Sequence, residues 1–177
     1  MSSSIKHGSD HVFFVGFLGA GKSTLARNLG RMFHRRYVDT DRLVERRAGH
    51  TVTELFEIRG EDAFRELETE ALEGLRSERS LLVSCGGGIV ETPRNIELMH
   101  EMGYCVYLDG DLDDSLRQIR RSDTRPDFRS PAHAANLLAH RKPLYEQAAD
   151  FTVDIRGASF TDVSYAVAEL LLERGLL

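Results

Sequence analysis

Cysteine is scarce in this chain: only two of its 177 residues, Cys85 and Cys105, are cysteine. Both stand in or beside apolar runs, where a thiol acts as a small hydrophobe, and two thiols cannot build a disulfide framework. That usage suits a reducing compartment. Long apolar runs are missing as well. Nothing approaches the roughly 20 residues that a membrane-spanning helix needs, and the opening MSSSIKHGSD holds no apolar segment of the secretory kind. The expected location is the cytoplasm, with no membrane partner. Positive charge is not in excess either. Lys and Arg number 23 against 28 Asp and Glu, for a net charge of −5, so no nucleic-acid partner is expected. The pairs Arg35-Arg36, Arg46-Arg47 and Arg120-Arg121 lie among acids and read as solvated helix surface. The seven histidines are scattered without metal-ligand spacing. Repeats and low-complexity segments are absent too. What remains is the composition of an ordinary globular protein, long enough for one domain over residues 1–177, and a monomer is expected.

Strand and helix patterns alternate along that domain. Apolar runs at His11–Phe17, Leu81–Cys85, Tyr104–Leu108 and Phe151–Ile155, with a short extended piece at Arg36–Val38, read as strands. Helical stretches fall at about 22–33, 42–48, 52–58, 61–76, 93–101, 111–121, 131–149 and 160–173. Continuous apolar strands separated by helices imply an α/β fold whose parallel sheet is covered on both faces. Ligands of such sheets bind beyond the carboxyl ends of the strands. Ser122 to Pro131, with Pro126 and Pro131, lacks helical periodicity and reads as a loop.

The residues that follow the first strand carry the strongest chemical signal. Gly16-Phe17-Leu18-Gly19-Ala20-Gly21-Lys22-Ser23-Thr24 satisfies G-x-x-x-x-G-K-[ST] between an expected strand and an expected helix. Glycines at these positions let backbone N–H groups converge on phosphate oxygens, and the helix N-terminus adds donors and its positive dipole end. A nucleoside triphosphate, held by Gly19, Ala20, Gly21, Lys22, Ser23 and Thr24, is expected. Lys22 should reach the β- and γ-phosphates, and the Ser23 hydroxyl should ligate Mg²⁺. After the second strand comes Asp39-Thr40-Asp41. Its two carboxylates can serve a metal and a substrate hydroxyl, and the same tripeptide is an equally good helix N-cap.

Three more blocks follow in order: Arg59-Gly60-Glu61-Asp62-Ala63-Phe64-Arg65-Glu66-Leu67-Glu68, Gly86-Gly87-Gly88 and Arg141-Lys142-Pro143-Leu144-Tyr145. Together with the phosphate loop and the Asp pair, they make the chain resemble the shikimate kinases. The resemblance implies a three-layer P-loop kinase fold, with a five-stranded parallel sheet in the order 2-3-1-4-5, helices on both faces and a lid at about 122–131. It implies transfer of the γ-phosphoryl group of MgATP to the 3-hydroxyl of shikimate. By the same resemblance Asp39 is the Mg²⁺-linked acid and a catalytic base, and Asp41 a ligand of shikimate hydroxyls. Arg65 and Arg141 hold the shikimate carboxylate, Gly87 offers its backbone to the substrate, and Arg125 closes over the ATP phosphates. Arg120 or Arg121 stacks on adenine. Guanidinium forks do suit a planar carboxylate.

The bland readings of the two pocket arginines are an ion pair of Arg65 with Glu61 or Glu68 on a helix face, and a surface place for Arg141 near a helix end. Phe56 reads as core. The chain departs from the family pattern where Asp127 and Phe128 follow Arg125-Pro126 in place of two leucines. Its Arg125–Arg141 stretch is also short, and Cys85 before the glycines is unusual. Two other functions stay open: another small-molecule kinase, such as a gluconate kinase, which would not require paired Arg65 and Arg141, and a nucleotide-binding inactive paralogue.

Overall fold

The computed structural model describes residues 10–119 and 130–177. Arg120, Arg121, Arg125, Asp127, Phe128 and the expected lid over 122–129 lie outside the described residues. Pro131, which the reading gave both to that lid and to the helix over 131–149, opens the helix, and Ser130 caps it by accepting the His133 N–H at 3.1 Å. Proline fits there because a first-turn N–H has no intrahelical acceptor.

The five strands are β1 (His11–Val15), β2 (Tyr37–Asp39), β3 (Leu82–Ser84), β4 (Gly103–Asp109) and β5 (Phe151–Asp154). They pair in parallel in the expected order, β2-β3-β1-β4-β5. Central β1 is buried at every position, whereas edge strand β5 alternates between half-buried and exposed. Around the sheet stand α1 (Lys22–Met32), α2 (Thr40–Ala48), α3 (Val52–Glu73), α4 (Pro93–Met102), α5 (Leu112–Ile119), α6 (Pro131–Ala148) and α7 (Phe160–Glu173).

Side chains alternate across a strand, so β1 feeds two cores. Val12 and Phe14 pack with Leu25 and Leu29 of α1 and Val167 and Leu171 of α7. Phe13 and Val15 pack with Leu98 and Met99 of α4 and Tyr145 of α6. A smaller core of Val44, Leu55, Phe64 and Ala71 joins α2 to α3, and Phe56 packs against it with its ring 4.7 Å from that of Phe64. Each such fully buried side chain contributes about 1.5–3 kcal/mol.

Helix boundaries have local causes. A capping box starts α3: Thr51 Oγ1 accepts the Glu54 N–H, and Glu54 Oε2 accepts the Thr51 N–H. Gly60 then takes a left-handed φ of 81°, which breaks α3 into the two pieces that the residue pattern suggests. The second piece carries Arg65 and Glu68.

Arg35 corrects the reading of its pair as solvated surface. Half-buried, it donates to the backbone carbonyls of Ser80, Asp10 and Leu176, fastening the link between α1 and β2 to the segment before β3 and to both ends of the described residues. His11 is a satisfied core histidine. Its Nδ1 accepts the Leu81 N–H at 3.1 Å and its Nε2 lies 3.0 Å from Leu75 O, which fixes a neutral tautomer, and burial lowers its pKa. His100, Cys105 and Asp150 place polar atoms within 4.8 Å of one another. Hydrogen bonds account for that grouping: His100 reaches Ala148 O, and Asp150 Oδ2 accepts the Cys105 N–H.

Candidate active site

The carboxyl ends of β1, β2 and β3 meet at one place, because Asp39 and Phe14 are both in register with Ser84. β1 runs directly into the phosphate loop. There Gly19 and Gly21 adopt φ of 72° and 84°, a region that Cβ-bearing residues avoid. Gly21 is the N-cap of α1 and no side chain caps that helix. First-turn N–H groups therefore face the loop's interior as an anion cradle. Lys22, 8% exposed, folds over the loop and donates to Gly16 O at 2.6 Å and Phe17 O at 2.9 Å.

Ser23 stands in the first turn of α1. Its hydroxyl donates to Asp39 Oδ2 at 2.7 Å and sits 2.9 Å from the Ser84 hydroxyl. Asp39 also does the capping that the tripeptide allows: its Oδ1 accepts the Arg42 N–H at 3.2 Å, and α2 begins at Thr40, two residues earlier than the pattern suggests. The Tyr37 hydroxyl stands 3.4 Å from Asp39 Oδ2, and burial, then the Asp39 charge, raise its pKa. A hydroxyl and a carboxylate oxygen side by side are the hard donors that Mg²⁺ prefers, so these residues fit that ion.

The second cluster gathers on Gly86-Gly87-Gly88, and each glycine is explained by what faces it. A Cβ at Gly86 would collide with Asp41 Oδ1 and lie 3.1 Å from Glu68 Oε1. One at Gly87 would lie 3.3 Å from Arg141 Nη1, and one at Gly88 would collide with the Arg65 guanidinium. Asp41, Arg65 and Arg141 therefore converge on one glycine surface, with Tyr145 donating to Gly87 O at 2.6 Å. That surface adjoins the phosphate loop, since the same Gly87 Cβ would lie 3.9 Å from Gly16 O.

Arg141 is 1% exposed, so it is not the surface arginine of the bland reading. Arg65 does make the helix-face pairs, with Glu61 at 3.0 Å and Glu68 at 2.7 Å, and it faces the cluster as well. Glu91 joins the two arginines, 2.5 Å from Arg141 Nε and 3.6 Å from Arg65 Nη2.

Glu68 is the electrostatic anomaly. It is 1% exposed, and its Oε1 has no hydrogen-bond partner among the described residues. Burial raises its pKa to about 7 against the pull of Arg65, with Asp41 adding to the rise. The folded protein thus binds this proton more tightly than the unfolded chain. The stabilisation is complete below the ordinary glutamate range and is lost as pH rises through about 7. The loss is on the order of 3 kcal/mol. Glu68→Gln keeps the shape without the titration, so the thermal midpoint of the parent should fall relative to the variant between about pH 5 and 8. Parallel midpoint curves over that range would show Glu68 ionised throughout.

Of the expected site residues, the structure brings Lys22, Ser23 and Asp39 into one group, and Asp41, Arg65, Gly87 and Arg141 into an adjoining one. Ser84, Tyr37, Glu68, Glu91 and Tyr145 belong to these groups and were not among the expected site residues, Glu68 having been read only as a helix-face partner of Arg65. Glu68 had a signal in its i,i+3 spacing from Arg65. For Glu91 the one available cue is its place just after the three glycines.

The whole chain compares closely with known proteins. The shikimate kinase family model matches residues 18–171. A shikimate kinase of Geobacter sulfurreducens is 37% identical over 175 residues, covering 97% of this chain and 96% of that protein. One from Vibrio parahaemolyticus is 35% identical over 167 residues, covering 93% and 97%. Among solved structures, the shikimate kinase of Acinetobacter baumannii in complex with shikimate superposes with a TM-score of 0.88 at 31% identity, over 94% of this chain and 95% of that one. With a five-stranded parallel sheet in this order, a P-loop before α1 and matches across nearly its full length, the chain belongs to the shikimate kinase family.

Proposed function

We propose that this protein transfers the γ-phosphoryl group of ATP to the 3-hydroxyl of shikimate, giving shikimate 3-phosphate and ADP. The observation that supports this most is the convergence of Arg65 and Arg141, from two helices, with Asp41 on the glycine surface beside the phosphate loop. Two guanidinium forks suit a planar carboxylate, and Asp41 suits ring hydroxyls. The first-turn amides of α1 and Lys22 hold the phosphates. Ser23 and Asp39 would hold Mg²⁺, which when bound neutralises phosphate charge. Asp39 is assigned the proton that leaves the 3-hydroxyl as its oxygen forms the bond to phosphorus. Much of the catalysis is then positioning, since both substrates are held side by side at the carboxyl ends of the strands. Arg125, and Arg120 or Arg121 at the adenine, keep the roles that the family resemblance implies.

An ADP-release assay across shikimate, quinate, gluconate and no acceptor tests the reading. Shikimate should stimulate release far above the others. Equal or greater stimulation by gluconate would transfer the assignment to a sugar-acid kinase, and no stimulation by any acceptor would favour a nucleotide-binding paralogue. A charge-assisted contact contributes about 1.5–3 kcal/mol. Arg65→Ala and Arg141→Ala should therefore weaken shikimate binding by roughly 10- to 150-fold and leave nucleotide affinity nearly unchanged. Unaltered shikimate affinity in both variants would sink the pocket assignment.

A further inference from the structure

We infer that Glu91 is a built-in counter-ion that occupies the acceptor-carboxylate site, so that shikimate must displace it and this residue sets how tightly the acceptor is held. The inference rests on the assignment of Arg65 and Arg141 to the acceptor carboxylate.

Glu91 ends a short 3-10 turn, Ile89–Glu91, that follows the glycine run, and its own N–H bonds to Gly88 O at 3.0 Å. The backbone thus fixes where its side chain begins. Its two oxygens divide between two helices: Oε1 is 2.5 Å from Arg141 Nε on α6, and Oε2 is 3.6 Å from Arg65 Nη2 on α3. One carboxylate bridging these two guanidiniums is the arrangement proposed for the substrate. Glu91 therefore mimics the ligand.

Charge makes the two occupants exclusive. Arg65 and Arg141 already face Glu91 and Glu68, with Asp41 on the same glycine surface, so an incoming carboxylate would add one more acid to a cluster whose two guanidiniums do not outnumber its acids. Glu68 has no route out, being 1% exposed and inside the packed cluster. Glu61 shares Arg65 Nη2 with Glu91 but makes no printed contact with Arg141, and at 57% exposure its charge is largely screened by water. Glu91, at 19% exposure on a turn, can rotate toward water. Its presence is also understandable without ligand, because Arg141 is 1% exposed and a buried guanidinium is costly to leave unbalanced. The cost is transferred to binding: a site that is open only part of the time shows an affinity reduced by that fraction.

The test compares the full-length protein with Glu91→Gln by calorimetric titration of shikimate and of its methyl ester, alongside steady-state kinetics. If the parent pocket is open roughly one-tenth of the time, Glu91→Gln should bind shikimate about 10-fold more tightly. KM for shikimate should fall with it, while kcat and nucleotide affinity stay within about two-fold, because the ion pairs of Glu91 go to Arg141 and Arg65. The methyl ester, which carries no carboxylate charge, should gain little. Glu91→Ala should in addition let acetate compete with shikimate, since the vacated anion site then accepts a small carboxylate. Unchanged or weaker shikimate binding in Glu91→Gln would overturn the inference and make Glu91 a brace for Arg141. An equal gain for acid and ester would overturn it as well. If the Gln variant does not fold, Glu91→Asp, which withdraws the carboxylate by one methylene, should show the same tightening, and its absence would count against the idea. Failure of the parent to phosphorylate shikimate is a separate result that would fall on the proposed reaction.

Discussion

Asp39→Asn should lower turnover by about 10²–10⁴ while the protein keeps its fold and its thermal midpoint. Asp39 serves both structure and chemistry here, and Asn separates the two. As a cap it accepts the Arg42 N–H at the start of α2, and Asn caps a helix as well as Asp does. An amide oxygen can also accept the Ser23 hydroxyl bond. What the amide lacks is negative charge and basicity. It can neither take the 3-hydroxyl proton nor help Ser23 attract a divalent cation. The size of the loss distinguishes the two roles. A fall near the upper end marks Asp39 as the general base, whereas a fall near the lower end that excess Mg²⁺ partly restores marks it as a metal ligand. Turnover within a few-fold of the parent would remove Asp39 from the chemistry and leave it a capping residue.

The fold was legible wherever one local pattern sufficed. β1, β3 and β4 are continuous apolar runs because both faces of the sheet are covered, and such runs are visible in one dimension. The phosphate loop is equally local, with its glycines, Lys22 and Ser23 inside nine consecutive residues. The strand order was a different matter: it came from the family resemblance, since periodicity does not tell which strands are neighbours.

Side chains whose meaning depends on distant elements were read less well. Arg141 has the local look of a surface residue, being followed by Lys142 and Pro143, and only the packing of α6 on the glycine run makes it 1% exposed. Arg35 stands beside Arg36 and shares its composition, yet the three carbonyls it ties come from Asp10, Ser80 and Leu176. Glu91 lies 26 residues from Arg65 and 50 from Arg141, and no spacing rule connects such positions. Thr40, given no role of its own in the residue pattern, is buried, its hydroxyl accepting the Gly86 N–H at 2.9 Å. That bond joins the two clusters: the residue between Asp39 and Asp41 is fastened to the first of the three glycines.

Lys22→Ala should reduce turnover by about 10²–10³ and leave shikimate affinity within a few-fold. Lys22 is 8% exposed, and its ammonium donates to two neutral carbonyls, Gly16 O and Phe17 O. Anionic phosphate oxygens are stronger acceptors than amide carbonyls, so a bound triphosphate draws the same charge toward the group in transit. Stabilisation of this kind grows as charge develops in the transition state, which is why kcat should respond more than nucleotide affinity. The substitution also strips an ammonium from two loop carbonyls, at a cost of about 1–3 kcal/mol, and the thermal midpoint should drop accordingly. Stability and catalysis are therefore measured together. A lowered midpoint with turnover near that of the parent would identify Lys22 as a clamp on its own loop. Lys22→Arg should fail to restore turnover, because a planar guanidinium is a fork and the site is shaped for a compact ammonium beneath two converging carbonyls. Shikimate binding should persist in both variants, since Arg65, Arg141 and Asp41 gather on the neighbouring glycine surface and need nothing from Lys22.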